Sequence, residues 1–202
     1  VGGADIDSIY YVTNPNVPAL GSEMTDGVIV DLADVGAANV TLSGGNTKVD
    51  SVDGVENVYT GSGNDTITGN AAVNIISTAA GDDTLDGDAG DDTLSAGAGA
   101  DIIDGGSGND RIILTNDGDA DAYDGGADVD TLVSDHDDAM SFDLEAGTIT
   151  GASIGADTIT NIENIISGGG DDTFIDAETV AADNEYNGMG GTDTVDYSNR
   201  LA

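Results

Sequence analysis

Between residues 60 and 113, single apolar residues return every nine positions in a chain that is otherwise polar. They stand at the eighth position of six consecutive nine-residue units and are Ile67, Ile76, Leu85, Leu94, Ile103 and Ile112. In a short extended run, one side chain points to one face and its two neighbours point to the other. The pattern therefore predicts one short strand in each unit, and stacked units would align the apolar residues as a thin continuous core.

Two further columns keep the same register as the apolar column. Glycine fills the fourth position at Gly63, Gly81, Gly90, Gly99 and Gly108. Aspartate fills the sixth position at Asp65, Asp83, Asp92, Asp101 and Asp110. The second unit departs from both columns, since it has Ala72 and Asn74 at these positions. Glycine adopts positive φ without steric penalty, so we expect each strand to be preceded by a sharp turn.

A second regularity links the two flanks of this repeat. Residues 50–67 align without gaps on residues 157–174, with seven of 18 positions identical. Upstream of each stretch, residues 28–44 and 140–151 share alternating apolar residues, which predict short strands. We therefore expect an all-β chain that continues as one solenoid beyond the regular repeat.

The expected organisation has three segments. Residues 1–59 are predicted as a strand-rich solenoid segment, 60–113 as the regular six-unit roll, and 114–202 as a second strand-rich module. Residues 14–26 are predicted to form a protruding loop. We interpret the whole as one elongated piece of a longer protein.

The charge of the chain narrows its possible partners. It carries 40 acidic and three basic residues, a formal net charge of −37. Self-repulsion at this density opposes a compact state, so cations or basic surfaces are the expected partners. Nucleic acid is excluded as a partner because phosphate binding requires Lys and Arg. No apolar run approaches the roughly 20 residues of a membrane helix, so we expect no membrane insertion. Cysteine is absent, which excludes thiolate metal sites.

The glycine and aspartate columns predict a binding site for a hard cation. Glycine leaves backbone carbonyl oxygens uncovered, and the aspartate two residues later adds a carboxylate beside them. Calcium takes about six to eight oxygen ligands, more than one unit supplies, so each ion must be shared between stacked loops. Because Asn74 and Ala72 replace the motif residues, we expect an ion at their loop to bind weakly or to be missing.

Outside the six units, the same motif returns in weaker form. Further candidate metal ligands follow glycine-rich turns at Asp130, Asp172 and Asp193. At the start of the chain, Asp5 and Asp7 have the same arrangement but would need an upstream turn. The stretch 117–122 imitates the opening of an EF-hand, yet Ala122 stands where that loop needs glycine. An irregular calcium loop and a solvated acidic turn both remain open there.

The nine-residue units match G-G-x-G-x-D-x-U-x, and in this they resemble the calcium-binding nonapeptide repeats of RTX (repeat-in-toxin) proteins. The resemblance implies a right-handed parallel β-roll in which two nonapeptides make one turn and calcium ions lie between successive loops. It also implies that the sixth-position carboxylates and carbonyl groups near the fourth-position glycines are the ligands. Without calcium, we expect the segment to be disordered, because metal binding and folding are coupled.

The resemblance further implies a secreted protein, exported unfolded from a Gram-negative bacterium by type I secretion. We expect a non-catalytic, calcium-binding structural module of an adhesin or surface-layer protein at the cell surface. Partners beyond calcium would be further copies of the chain, an extracellular polymer or a cell-surface ligand. The alternative is a section of a secreted protease, lipase or alginate epimerase whose catalytic domain lies elsewhere. His136 is the only histidine, whereas zinc hydrolase sites use two or three, so we interpret His136 as part of a solvated turn.

Overall fold

The computed structural model describes residues 8–11, 28–32, 38–42, 49–52, 55–176 and 184–198. Throughout these ranges the secondary structure is β, and none of it is a helix that could cross a bilayer. The predicted loop at 14–26, together with Asp5 and Asp7, lies outside the described residues.

Short strands, each of three to five residues, follow one another along the chain. In the first half they are β1 (Ser8–Tyr11), β2 (Val28–Asp31), β3 (Ala38–Leu42), β4 (Val49–Val52), β5 (Asn57–Thr60), β6 (Thr66–Asn70), β7 (Ile75–Ser77), β8 (Thr84–Asp88), β9 (Thr93–Ser95) and β10 (Ile102–Asp104). In the second half they are β11 (Arg111–Ile113), β12 (Ala122–Asp124), β13 (Thr131–Val133), β14 (Met140–Asp143), β15 (Thr148–Gly151), β16 (Asp157–Thr160), β17 (Asn164–Ile166), β18 (Thr173–Ile175), β19 (Glu185–Asn187) and β20 (Thr194–Asp196).

These strands form two sheets that alternate along the chain. One sheet has the order β1-β5-β7-β9-β11-β13-β17-β19, and all its pairs are parallel. The other has the order β20-β18-β14-β15-β16-β12-β10-β8-β6-β2-β3-β4. Ile67 pairs with Leu85 and Ile76 pairs with Leu94, each partner 18 residues along the chain. Two nonapeptides therefore make one turn, and the predicted parallel β-roll is confirmed.

The apolar column predicted from the sequence forms the core between the two sheets. Its six Ile and Leu side chains are at most 1% exposed and belong to one continuous cluster. Removing each such side chain from water contributes about 1.5–3 kcal/mol, which makes this column the main apolar source of stability. The neighbouring side chains of each strand point outward, as the period of two requires.

The matching flanks fold as three-stranded meanders within the twelve-stranded sheet. In the second flank, β14 pairs antiparallel with β15 and β15 antiparallel with β16, while β14 also pairs parallel with β18. In the first flank, β2, β3 and β4 are paired in the same way, and β2 lies parallel to β6. Each meander adds strands to one sheet only, so the roll widens on that side without completing an extra turn.

At the second meander and just after it, aromatic side chains form part of the core. Phe142 and Phe174 stack with ring centroids 5.6 Å apart, and Phe174 stacks on Tyr186 at 5.1 Å. The two sheets continue through β5 and β11, at the ends of the six regular units. The three-segment division of the chain stays a prediction of its organisation.

Candidate metal-binding loops

Loops on one side of the roll lead into the twelve-stranded sheet and are joined through sixth-position aspartates. The backbone N–H of Asp65 donates to Oδ1 of Asp83 at 2.7 Å, and that of Asp83 donates to Oδ1 of Asp101 at 2.8 Å. The series continues from Asp101 to Asp121 at 2.9 Å and from Asp121 to Asp157 at 3.0 Å. We call this series the first carboxylate ladder.

Loops on the opposite side lead into the eight-stranded sheet and form a second carboxylate ladder. The backbone N–H of Asn74 donates to Oδ1 of Asp92 at 2.6 Å, and that of Asp92 donates to Oδ1 of Asp110 at 2.7 Å. The N–H of Asp110 then donates to Asp130 at 2.8 Å. The N–H of Asp130 donates to Oε2 of Glu163 at 2.9 Å, so a glutamate continues the ladder.

The last predicted ligands lie in a shorter series near β18 and β20. The N–H of Met140 donates to Oδ1 of Asp172 at 2.9 Å, and the N–H of Asp172 donates to Oδ1 of Asp193 at 3.0 Å. Asp172 is buried, whereas Asp193 is exposed. The structure thus places the predicted ligands of the six units, together with Asp130, Asp172 and Asp193, in one of three hydrogen-bonded series.

The ladder bonds use one carboxylate oxygen and leave the other buried. Within the described residues, Oδ2 is buried and has no hydrogen-bond partner at Asp92, Asp101, Asp110, Asp130, Asp157 and Asp172. Their side chains are at most 2% exposed. Asp83 is equally buried and has the Thr78 hydroxyl beside its carboxylate. A buried carboxylate oxygen without a donor is destabilising, so these atoms favour a cation as their partner.

Backbone carbonyl groups face the same space as these carboxylates. A Cβ atom added to Gly87 would lie 2.5 Å from Oδ2 of Asp92 and would also collide with the carbonyl oxygen of Gly105. An added Cβ at Gly105 would likewise lie 2.5 Å from Oδ2 of Asp110 and collide with the Gly125 carbonyl. Because glycine has no side chain at these positions, a carboxylate oxygen of one turn and a carbonyl oxygen of the next can approach each other.

The fourth-position glycines shape the other half of each loop. Their φ angles lie between 121° and 137° at Gly63, Gly81, Gly90, Gly99 and Gly108, as the sequence predicted. The N–H of Gly81 donates to the Ala98 carbonyl at 2.8 Å, one turn along. A Cβ on Gly90 would lie 2.6 Å from the Ala72 carbonyl oxygen, so a side chain there would separate the stacked loops.

Burial and repulsion between neighbouring carboxylates raise the pKa of several ladder aspartates. Desolvation first, and the charge of neighbouring carboxylates after it, raise the pKa of Asp92, Asp101 and Asp130 from 3.8 to about 7. The same cause, desolvation first and the charge of Asp121 second, raises the pKa of Asp157 to about 6. A bound cation would reverse this effect because it stabilises the charged form.

Three ladder residues lie outside the aspartates that the repeat pattern singled out as sixth-position ligands, although one of them stands in the EF-hand-like stretch 117–122. Asp121, Asp157 and Glu163 each stand two residues before a buried side chain, in the runs Asp-Ala-Tyr, Asp-Thr-Ile and Glu-Asn-Ile. This spacing is that of the sixth and eighth positions. The signal was present in the sequence, but a shifted repeat and a glutamate in place of aspartate obscured it.

The oxygen atoms around these loops fit a hard cation. Among the described residues, no group of three or more His, Cys, Asp or Glu side chains converges as a metal site made of side chains alone. An ion would therefore take a carboxylate oxygen together with backbone carbonyl groups from two loops. Such oxygen-only surroundings suit calcium, which tolerates irregular geometry and long coordination distances.

The fold and its loops define a class of protein, a parallel β-roll with oxygen-lined turns stacked along both edges. In agreement, residues 50–85 and 77–112 match a family model described as the RTX calcium-binding nonapeptide repeat (4 copies). The chain thus contains RTX calcium-binding repeats over residues 50–112. No curated protein matches the chain in a sequence search.

Proposed function

We propose that this chain is a calcium-binding structural module whose stacked loops close around calcium ions and thereby hold the roll together. The observation that carries the proposal is the set of buried Oδ2 atoms of Asp92, Asp101, Asp110, Asp130 and Asp157 in the two carboxylate ladders, none of which has a hydrogen-bond donor within the described residues. Calcium supplies the missing positive charge at each loop and offsets a formal net charge of −37. The ion thus acts as a structural element rather than as a catalyst.

Specific ligands follow from the ladders. Asp65, Asp83, Asp92, Asp101 and Asp110 contribute carboxylate oxygens to ions held between stacked loops. Carbonyl groups of the glycine-rich turns complete each coordination shell. Asp130 and Asp172 are buried, and each has an Oδ2 atom without a hydrogen-bond donor among the described residues. This supports calcium sites in the second module as well. Asp193 is exposed, so its site is the weakest of the series.

The setting that suits such a module is outside the cell, where calcium is abundant. Secretion by a Gram-negative bacterium, with the chain kept unfolded until it meets calcium, is consistent with its RTX repeats. The role that we propose for it is structural, within an adhesin or surface-layer protein. The module has no catalytic task of its own in this proposal.

A calcium titration followed by circular dichroism tests the proposal. The β-sheet signal of the purified chain should be small in excess chelator and should rise cooperatively as calcium is added. Magnesium at the same concentration serves as the control, because it demands near-octahedral geometry and gives up its water reluctantly. An unchanged β-sheet signal in excess chelator, with no heat of calcium binding, would overturn the proposal.

A further inference from the structure

One turn of the first carboxylate ladder differs from the others in the hydrogen-bond donors that its aspartate receives. Tyr123 lies in the core column between Ile103 and Ile159 and is only 2% exposed. Its hydroxyl donates to Oδ2 of Asp121 at 2.9 Å and accepts a hydrogen bond from the N–H of Thr115 at 3.2 Å. Both carboxylate oxygens of Asp121 therefore have protein donors, because Oδ1 already accepts from the Asp101 N–H.

The backbone of this loop departs from the regular pattern at the same place. On this side of the roll, parallel bridges join Ser62 to Ala80 and Ala80 to Ala98. The next fourth-position glycine, Gly99, donates its N–H to Oδ2 of Asp117 at 2.7 Å instead of to a backbone carbonyl. A side chain thus replaces the carbonyl contact that links the preceding loops.

The fourth position of this loop has also changed. It is Asp119, which is exposed, where the regular loops have a half-buried glycine. On the opposite side of the roll, the bridges continue from Ala89 through Ser107 to Ala127. At this level of the roll, the departure is therefore found on one side only.

We propose that the Tyr123 hydroxyl takes the place of a calcium ion between the loops 97–101 and 117–121, so that this junction of the ladder closes without metal. The inference rests on the proposed calcium-binding function of the other loops. It makes residues 117–121 a metal-independent joint between the regular roll and the second module. Calcium binding is then divided into separate groups of sites along the first ladder.

A second loop shows the same principle with a different side chain. Asn74 is fully buried, its Nδ2 donates to the Glu56 carbonyl at 3.0 Å, and its Oδ1 accepts from the Asn70 N–H at 2.8 Å. Its amide group thus supplies a donor and an acceptor where the other loops have a carboxylate. Neutral side chains of this protein are able to close a loop that would otherwise need a cation.

The number of calcium ions bound by the full chain tests the inference, measured by native mass spectrometry and calorimetry. Asp92→Asn, at a loop of the regular type, is expected to bind at least one ion fewer than the wild type. Asp121→Asn removes the same charge and is expected to bind as many ions as the wild type. Loss of an ion in Asp121→Asn would overturn the inference, since that aspartate would then be a ligand.

Tyr123→Phe keeps the aromatic ring and removes only the hydroxyl, so it remains informative if Asp121→Asn does not fold. The inference predicts that this variant binds no fewer ions than the wild type. Binding of one ion fewer would show that the hydroxyl is itself a calcium ligand and would contradict the inference. A wild-type chain that binds no calcium contradicts the proposed function and the inference together, whereas an ion lost only in the variants at 121 or 123 contradicts the inference alone.

Discussion

The backbone N–H of Asp92 donates to the carboxylate of Asp110, 18 residues further along the chain, at 2.7 Å. This bond fixes Oδ1 of Asp110 and leaves its Oδ2 buried without a donor in the described part of the chain. The same relationship repeats at Asp101, Asp130 and Asp157. At these turns, the bond that joins one turn to the next also leaves one buried carboxylate oxygen positioned for a cation.

Removing a single ladder charge should weaken calcium binding. In Asp92→Asn, the amide oxygen can still accept the ladder bond from Asn74, but the buried negative oxygen is lost. We expect calcium affinity at this loop to fall about tenfold or more, which corresponds to about 1.4 kcal/mol. Isothermal titration calorimetry measures the change.

Asp91→Asn is the matched control for that variant. Asp91 is the adjacent residue, is exposed, and binds the Asn109 N–H rather than facing a ladder. It loses the same charge and should leave calcium affinity within about twofold of the wild type, as expected for screened surface charge. Equal weakening by both variants would mean that general electrostatics, not the ladder site, governs binding.

A methyl group in a loop should disturb the arrangement of the carboxylate and carbonyl oxygen atoms without changing the charge of the chain. Gly87→Ala places a Cβ 2.5 Å from Oδ2 of Asp92 and in collision with the Gly105 carbonyl. We expect the folded, calcium-loaded chain to lose about 1–3 kcal/mol of stability, as overpacking does elsewhere. Urea unfolding in excess calcium measures this loss.

Gly190→Ala is the corresponding control, because a Cβ atom at Gly190 would lie at an ordinary contact distance of 3.5 Å from Cα of Gly169. Its stability should change by less than about 1 kcal/mol. If Gly87→Ala were no more destabilising than Gly190→Ala, the close approach of the two oxygens would not matter to the fold.

Truncating the core should affect folding but not the number of ions. Leu94 is fully buried in the column of the eight-stranded sheet. Leu94→Ala is expected to cost about 2–5 kcal/mol and to raise the calcium concentration needed for folding, with unchanged stoichiometry at saturation. Val73→Ala, at a side chain that is 59% exposed, should behave as the wild type. A changed ion count in Leu94→Ala would contradict the separation of core from metal sites.

Lowering the pH should partly replace calcium in promoting folding of the chain. Burial raises the pKa of Asp92, Asp101 and Asp130 from 3.8 to about 7, so the metal-free folded chain holds protons that the unfolded chain releases. Their contribution to folding is fully present below pH 3.8 and is lost as the pH rises through about 7. In chelator, the β-sheet signal should therefore increase as the pH is lowered from about 8 to about 5.

Combined Asp92→Asn, Asp101→Asn and Asp130→Asn substitutions provide the control for this pH effect. Without these three titrating groups, the increase in β-sheet signal between about pH 8 and 5 should be smaller than in the wild type. Identical pH curves for the two chains would assign the effect to the overall charge rather than to the ladder.

The regular roll was predictable because its strands, turns and ladder positions share one period of nine residues. The meander β14–β15–β16 was predicted only as short strands, because antiparallel pairing within one sheet leaves no such period in the sequence. The ladder step from Asp101 to Asp121 spans 20 residues, and the step from Asp121 to Asp157 spans 36. Insertions within loops and whole strands are absorbed without breaking the ladder, which explains why sequence spacing alone missed these positions.

The bond between Tyr123 and Asp121 could not be predicted from sequence. The tyrosine occupies an ordinary apolar position of the repeat, and only the folded structure brings its hydroxyl to the carboxylate. The opening of an EF-hand suggested by Asp117, Asp119 and Asp121 is instead used as a solenoid loop. Asp121 joins the first ladder, while Asp117 accepts hydrogen bonds from Gly99 and Asp119.

Amide hydrogen exchange of the ladder N–H groups tests the central claim most directly. The backbone amides of Asp65, Asp83, Asp92 and Asp110 should exchange slowly in calcium, because each donates to a carboxylate one turn along. In excess chelator at about pH 8, where the ladder carboxylates are charged, the account predicts exchange close to that of an unfolded chain. Equal protection of these amides with and without calcium would contradict it.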